Sequence, residues 1–323
     1  MKSSRRKFLL WTLGTAVATA GGAAWLWGSQ TRTARWTRRL LFGSRHPINP
    51  APHRPQPDHW SNDRVTLALI GHATLLLNFY GVRILTDPVL LSRIGPDLRL
   101  GTVGPKRLIA PALTIPELPP LDLILLSHAH MDHLDMRTLR RLLRQDLPVV
   151  TAKDTSDLIH DAGGRKITEL GWGESVTLQT TAGEIHIEAF EVRHWGQRWP
   201  DGKPRGYNAY ILRREGTALI FGGDTAMTES FARLRPAGPY ALAIMPIAAY
   251  QPWIWNHCTP EQAVRMADAA GARYFVPMHH EVFILSEEPI HEPIQRLEAA
   301  LQQEPDRLAL RQVGETFTLP QPG

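Results

Sequence analysis

The stretch Leu121-Asp122-Leu123-Ile124-Leu125-Leu126-Ser127-His128-Ala129-His130-Met131-Asp132-His133 decides how this chain folds and where its chemistry sits. Its first half is a nearly continuous apolar run, as expected of a strand covered on both faces. Polar residues crowd in where the run ends. A strand end is a rigid mount, and the loop after it can bend four donors, His128, His130, Asp132 and His133, towards one point. Imidazole nitrogen and carboxylate oxygen are ligands that Zn²⁺ accepts, at about 2.0–2.2 Å. Three His and one Asp within six residues make this a candidate metal centre. The bland alternative is a solvated polar loop with an incidental histidine cluster.

Outward from this stretch, β-rich runs fall at Val65–Ile70, Thr74–Phe79 and Val82–Thr86, with Tyr80-Gly81 as the turn between the last two. Asp135–Arg144 carries Leu139, Leu142 and Leu143 at helical spacing. Pro148–Thr151 reads as a strand, Glu174–Thr180 and Glu184–Val192 as a hairpin, and Tyr207–Arg213 with Ala218–Phe221 as a further pair. Leu242–Met245 and Arg273–Val276 are short buried strands. Between them Thr259 is a good N-cap, Pro260 suits the first helical position, and Gln262 completes a capping box. Leu297–Leu301 belongs to a last helix. Strands with helices interspersed through both halves predict an α/β fold, a layered sheet-on-sheet core faced by helices.

His-x-His-x-Asp-His after an apolar strand resembles the signature of the metallo-β-lactamase superfamily. Gly71-His72-Ala73-Thr74, Leu85-Thr86-Asp87-Pro88, Gly104-Pro105-Lys106-Arg107, Gly222-Gly223-Asp224-Thr225 and His257-Cys258-Thr259-Pro260-Glu261-Gln262-Ala263 resemble one branch of it. That branch holds the N-acyl-phosphatidylethanolamine-hydrolysing phospholipase D enzymes and related bacterial hydrolases. The likeness covers nearly all of residues 65–300. It implies an αββα sandwich with two divalent metal ions, zinc first and iron or manganese as alternatives, at one edge of the sheets. It implies that His128, His130 and His194 hold one metal, that Asp132, His133 and His279 hold the other, and that Asp224 bridges them. His194, Asp224 and His279 each follow a predicted strand, which is the placement such ligands need. His279 is ambiguous with His280, and Met278-His279 matches the family's apolar-His pattern. The two residues after His279 are His280 and Glu281 where the family has Trp and Gly. A carboxylate there would repel an anionic phosphate, or hold an amine-bearing head group. By family position His72 lies near the metals as a support without being a ligand; its alternative is a hydrogen-bonded structural histidine.

Two metals about 3.5–4 Å apart can share a water and lower its pKa towards about 7, so no Ser or Cys nucleophile is required. Asp132 is expected to orient that water. His257 is expected to reach the substrate or give a proton to the leaving group, with helix-end packing as its alternative. Trp195, Trp199, Tyr207, Tyr250, Trp253 and Trp255 flank the predicted ligands. Of these, Trp195, Tyr250 and Trp253 are expected to bind substrate, since aromatics beside a metal cleft suit an apolar or amphipathic ligand. A lipid phosphodiester is the leading substrate class. A lactone or other small ester is the alternative, and a non-catalytic metal-binding envelope protein is the reading of a different class. There is no Gly-x-Ser-x-Gly elbow and no Walker-type phosphate loop.

Charge is unevenly placed. The chain has 36 Lys and Arg against 31 Asp and Glu. Ten of the basic residues and none of the acids lie in residues 1–57, leaving 26 basic against 31 acidic residues in the rest. Such a body has no electrostatic surplus for gripping a phosphate backbone, so no nucleic-acid partner is expected. Ser4-Arg5-Arg6-Lys7-Phe8-Leu9-Leu10 resembles the twin-arginine export signal, and no charge falls between Phe8 and Trp27. Residues 1–30 are therefore read as signal or anchor, with export to the periplasm or the outer face of the inner membrane. Residues 31–57 are read as a basic, Pro-rich linker, in which 32–42 could rest on anionic lipid as a short amphipathic helix. The hydrolase domain is expected over 58–323. The one cysteine, Cys258, precludes an intrachain disulfide and reads as a small buried apolar residue.

Overall fold

The computed structural model describes residues 46–98, 101–143, 147–199 and 202–321. The export motif and the basic 32–42 segment lie outside the described residues. The first half supplies strands β1 (Val65–Gly71), β2 (Thr74–Phe79), β3 (Val82–Thr86), β4 (Asp97–Leu98), β5 (Gly101–Thr102), β6 (Leu123–Leu125), β7 (Val149–Ala152) and β8 (Ile167–Leu170). The second half supplies β9 (Ser175–Thr180), β10 (Gly183–Phe190), β11 (Ala209–Arg214), β12 (Thr217–Phe221), β13 (Tyr240–Pro246) and β14 (Ala272–Met278), and β15 (Thr316–Thr318) returns to the first. Among the described residues the α-helices are α1 (Met136–Leu142), α2 (Ser156–Asp161), α3 (Pro260–Ala270) and α4 (Glu292–Ala300). None of the helices among the described residues is long and apolar enough to cross a membrane.

Two sheets carry the architecture. One runs β15-β1-β2-β3-β6-β7-β8 and the other β14-β13-β12-β11-β10-β9; β4 and β5 form a separate small ribbon. The period-2 alternation of strands sorts the side chains between layers. In β1, Leu67 and Leu69 join Ile187, Leu212, Leu219 and Leu242 in the core between the sheets. Its alternate residues Ala68 and Ile70 face outwards into a second core with Leu139 and Leu142 of α1. A third core packs the outer face of the second sheet against Ala263, Met266 and Ala267 of α3 and Leu297 of α4. The layers are therefore helix, sheet, sheet, helix, which is the αββα order expected. Helix ends follow the local chemistry: Asp135 accepts from the N–H groups of Arg137 and Thr138 to cap α1, and Thr259 with Gln262 forms the predicted capping box of α3.

The Pro-rich run up to residue 57 is extended, as its missing N–H donors require, and from residue 46 it lies along the body. Asn49 exchanges backbone hydrogen bonds with Leu108 and Ala110, and His53 N–H donates to the Val313 carbonyl. Gly314, at φ +89°, presses on this segment so closely that a Cβ would stand 1.8 Å from the His53 carbonyl oxygen.

Strand direction creates the functional edge. β1 and β3 are both antiparallel to β2, and β6 is parallel to β3. β10 and β12 are both antiparallel to β11, and β12, β13 and β14 run parallel. Within each sheet these strands end on one side. His72 follows β1, Asp87 follows β3 and Ser127–His133 follows β6 in one sheet; His194 follows β10, Asp224 follows β12 and His279 follows β14 in the other. Asn208 N–H donating to the Ser127 carbonyl at 2.9 Å pins the two edges together.

Candidate metal centre

Three tautomers at this edge are set by hydrogen bonds behind the rings. Ser127 Oγ donates to Asp87 Oδ2 at 2.6 Å, so it accepts from His128 Nδ1 at 2.9 Å. His133 Nδ1 donates to Asp87 Oδ2 at 2.6 Å. His194 Nδ1 donates to the Asn256 carbonyl at 2.8 Å. A neutral imidazole with its proton on Nδ1 presents a bare lone pair at Nε2. In all three rings the Nδ1 proton leaves Nε2 as the atom that would meet a metal, and the three Nε2 atoms face the same space.

The candidate donor atoms fall into two groups. His128 Nε2 is 2.8 Å from His130 Nδ1, which is 3.2 Å from His194 Nε2. The second group is Asp132, His133 and His279, with His279 Nε2 3.2 Å and His133 Nε2 3.6 Å from Asp132 Oδ2. Asp224 Oδ2 sits between them, 3.1 Å from His133 Nε2, 3.2 Å from His279 Nε2 and 3.8 Å from His194 Nε2. Backbone strain helps bring these groups in. His72, Asp87 and His279 all have positive φ, at 62°, 33° and 66°, each costing about 1–3 kcal/mol. Gly223 lets Asp224 approach: a Cβ there would stand 2.7 Å from the Asn208 carbonyl oxygen and 2.9 Å from Ser127 Cβ.

The charges suit a cation. Burial lowers His72 and His130 to about 3 and His194 to about 4, so these rings are neutral. Burial pushes the Asp132 and Asp224 carboxyls up, but the surrounding histidines together outweigh it, His133 first, with His279 and His72 on Asp132 and His279 and His257 on Asp224, and both stay well below the usual carboxylate range. For His133 and His279 burial works downwards and the carboxylates Asp224 and Asp132 win, raising His279 to about 9 and His133 well above its ordinary value. The protein alone therefore puts protons on the two imidazoles that face its carboxylates. Divalent cations would displace those protons. His133 Nε2 and Asp224 Oδ1 are buried with no hydrogen-bond partner, as ligand atoms aimed at a metal would be. The donor chemistry of the residues expected as ligands fits divalent metal.

His72 stands beside this set. Its Nε2 is 3.1 Å from Asp132 Oδ2, and its carbonyl accepts from His279 N–H at 3.0 Å. It lies close enough to Asp132, His133 and His279 to form a four-residue donor group with them. His257 lines the cleft in front of the centre, with Nδ1 3.9 Å from Asp224 Oδ2 and no hydrogen bond.

The cleft has a volume of about 550 Å³, and Trp195, Trp199, Trp253, Met131 and Leu285 form its apolar wall. Trp195 and Trp253 are where substrate contacts were expected. Tyr250 is not: it is 3% exposed, its hydroxyl donates to Glu292 Oε1 at 2.8 Å, and Arg296 covers its ring. The β13–α3 connection turns Tyr250 towards α4, so it supports the wall from behind. Glu281 likewise points away. It accepts from His291 Nδ1 at 2.6 Å and does not line the cleft, so the expected repulsion of a phosphate at this point falls away. His280 is buried beside it and, unlike His279, is not part of the donor groups.

Two contributors escaped the reading of the sequence. Asp87 orients both His133 and, through Ser127, His128; the stretch Leu85-Thr86-Asp87-Pro88 marks its neighbourhood in the sequence but assigns it no such role. Arg198 lines the cleft four residues after His194, with no sequence signal to set it apart from a solvated arginine.

Residues 82–280 match the family model described as "Beta-lactamase superfamily domain". Over 285 residues the chain is 31% identical to an uncharacterized protein of Mycobacterium tuberculosis, covering 85% of this chain and 74% of that one. Over 235 residues it is 31% identical to N-acyl-phosphatidylethanolamine-hydrolyzing phospholipase D 1 of Caenorhabditis elegans, covering 69% of this chain and 65% of the relative. A solved metallo hydrolase from the hyperthermophilic archaeon Ignicoccus hospitalis shares the fold, with a TM-score of 0.59 at 19% identity over 80% of this chain and 99% of that chain.

Proposed function

This chain belongs to the β-lactamase superfamily of metal-dependent hydrolases, and on that premise we propose that it is a binuclear enzyme hydrolysing a phosphodiester in an amphipathic lipid. The observation that carries the two-metal part is Asp224 Oδ2, placed within 3.8 Å of His194 Nε2 in one donor group and 3.2 Å of His279 Nε2 in the other. The lipid part is supported by the Caenorhabditis elegans relative, whose name states hydrolysis of N-acyl-phosphatidylethanolamine, and by the apolar wall of the cleft.

Two bound divalent ions would supply a water of lowered pKa and positive charge to stabilise the developing oxyanion. The chain's own residues do the rest. Asp132 keeps one carboxylate oxygen on His72 and His279 and lines the cleft, where it orients the attacking water. His257, also on the cleft and kept neutral by burial, takes the proton that the attacking water sheds and hands it to the leaving oxygen. Trp195 and Trp253 hold the apolar part of the substrate and exclude water from the reacting bond.

The test is to incubate the zinc-loaded protein with a lipid extract and with a lactone panel, following products by mass spectrometry, with Asp132→Asn as the control. Phosphatidic-acid-type products that disappear in the control support the reading. Ring-opened lactones with untouched lipids replace it with the neutral-ester alternative. Metal binding with no turnover of either leaves a metal-binding envelope protein.

A further inference from the structure

Arg198 reaches the metal cleft from the segment that carries His194. Its Nη1 donates to the carbonyls of Ala129 and Leu134, both at 2.8 Å. Those carbonyls bracket the loop that holds His130, Asp132 and His133, so the guanidinium bolts a loop of the first half to a segment of the second. One nitrogen does this work. Nε and Nη2 make no hydrogen bond among the described residues, and neither is sealed from solvent as the unpartnered Nε of Arg107 is. Among the described residues no carboxylate pairs with Arg198, and it is the only Lys or Arg on the cleft lining. Burial lowers its pKa to about 10, so it stays cationic at neutral pH.

A guanidinium presents its N–H groups as a planar fork that matches two oxygens of a phosphoryl or carboxyl group. Here the fork is held in place by its other edge, which removes most of the entropy cost of ordering it. Resting on the phosphodiester reading above, we propose that Arg198 is the residue that selects an anionic substrate. Nη1 holds the ligand loop, while Nε and Nη2 take the non-bridging oxygens of a diester monoanion whose apolar part lies on Trp195, Trp199 and Trp253. A neutral ester would enter the same aromatic cleft but leave the fork unanswered, and a partly desolvated cation without an oxyanion disfavours it.

The experiment uses the full metal-loaded chain and two non-substrate probes of like size: dibutyl phosphate, a monoanion, and tributyl phosphate, which is neutral. Each is titrated into wild type, Arg198→Gln and Arg198→Lys while tryptophan fluorescence is followed, and metal content is measured for all three. The expected result is that Arg198→Gln weakens dibutyl phosphate by about tenfold or more and tributyl phosphate by less than about twofold, with metal retained. Arg198→Lys keeps the metal and part of the preference for the anion. Equal weakening of both probes, no weakening of either, or loss of metal in both variants overturns the proposal and leaves Arg198 as a loop bolt alone. Arg198-dependent binding of dibutyl phosphate in a protein that cleaves no phosphodiester would reject the catalytic reading and leave this one standing.

Discussion

Asp87 Oδ2 accepts a hydrogen bond from His133 Nδ1 at 2.6 Å, with both side chains sealed from solvent. The same carboxylate accepts from the Ser127 amide and hydroxyl, so one buried acid from the end of β3 sets the tautomers of two metal-facing imidazoles. In Asp87→Asn an amide N–H₂ at the Oδ2 position would face the His133 N–H, donor against donor. The ring would shift its proton to Nε2, where the metal should be. We expect a roughly 10–100-fold loss of metal affinity or activity, measured by competition with a chelator. Wild-type affinity in this variant would rule out the orienting role.

The seven-ligand set predicts about two divalent ions per chain, counted by elemental analysis of protein purified without added metal. Nitrogen and carboxylate donors without thiolate favour zinc, and iron or manganese fit the same set. His128→Ala should remove one ion preferentially, whereas Asp224→Ala, at the shared position, should reduce both. A stoichiometry near zero, with activity that survives chelation, would sink the two-metal reading.

Tyr250 and Trp253 are three residues apart and should behave differently. Tyr250→Phe removes the hydrogen bond to Glu292 behind the cleft wall and should cost about 1 kcal/mol of stability with KM unchanged. Trp253→Ala removes cleft wall and should raise KM for an amphipathic phosphodiester several-fold with little change in melting temperature. A reversed pattern would return Tyr250 to the substrate site.

Cys258 is fully buried, its Sγ donates to the Pro246 carbonyl, and burial pushes the thiol pKa up. A protonated, enclosed thiol is a poor nucleophile. Ellman's reagent should find no reactive thiol in the native protein and one after denaturation. Fast labelling of the folded protein would contradict this placement.

Export by the twin-arginine route is a proposal that rests on Arg5 and Arg6 in front of an uncharged stretch. Replacing both by Lys should hold the protein in the cytoplasm, followed by fractionation and immunoblotting. Undiminished export of that variant would reject the route.

Each candidate ligand was legible because it obeys a local rule. His128 to His133 follow a run too apolar to be anything but a covered strand, and His194, Asp224 and His279 each come at the end of another predicted strand. Strand ends are where rigid backbone gives way to loops that can converge on a ligand. Asp87 has the same placement, yet its role depends on His133, 46 residues away, and no local pattern carries that pairing. Arg198 is similar: its carbonyl partners lie 69 and 64 residues back along the chain.

By itself, then, the sequence determined the alternation that buries both faces of β1, the capped start of α3, and a donor set matched to divalent metals, because these depend on neighbours within a few residues. Which way side chains face beyond a strand end depends on packing between distant parts of the chain. There the backbone leaves its period-2 rule, through positive φ at His72, Asp87, Ala249, His279 and Glu281. That is why Tyr250 turns towards Glu292, Glu281 turns towards His291, and Asp87 turns inwards to hold the ring of His133. Side-chain direction in such loops is set by what packs against them from distant parts of the chain, which local periodicity does not encode.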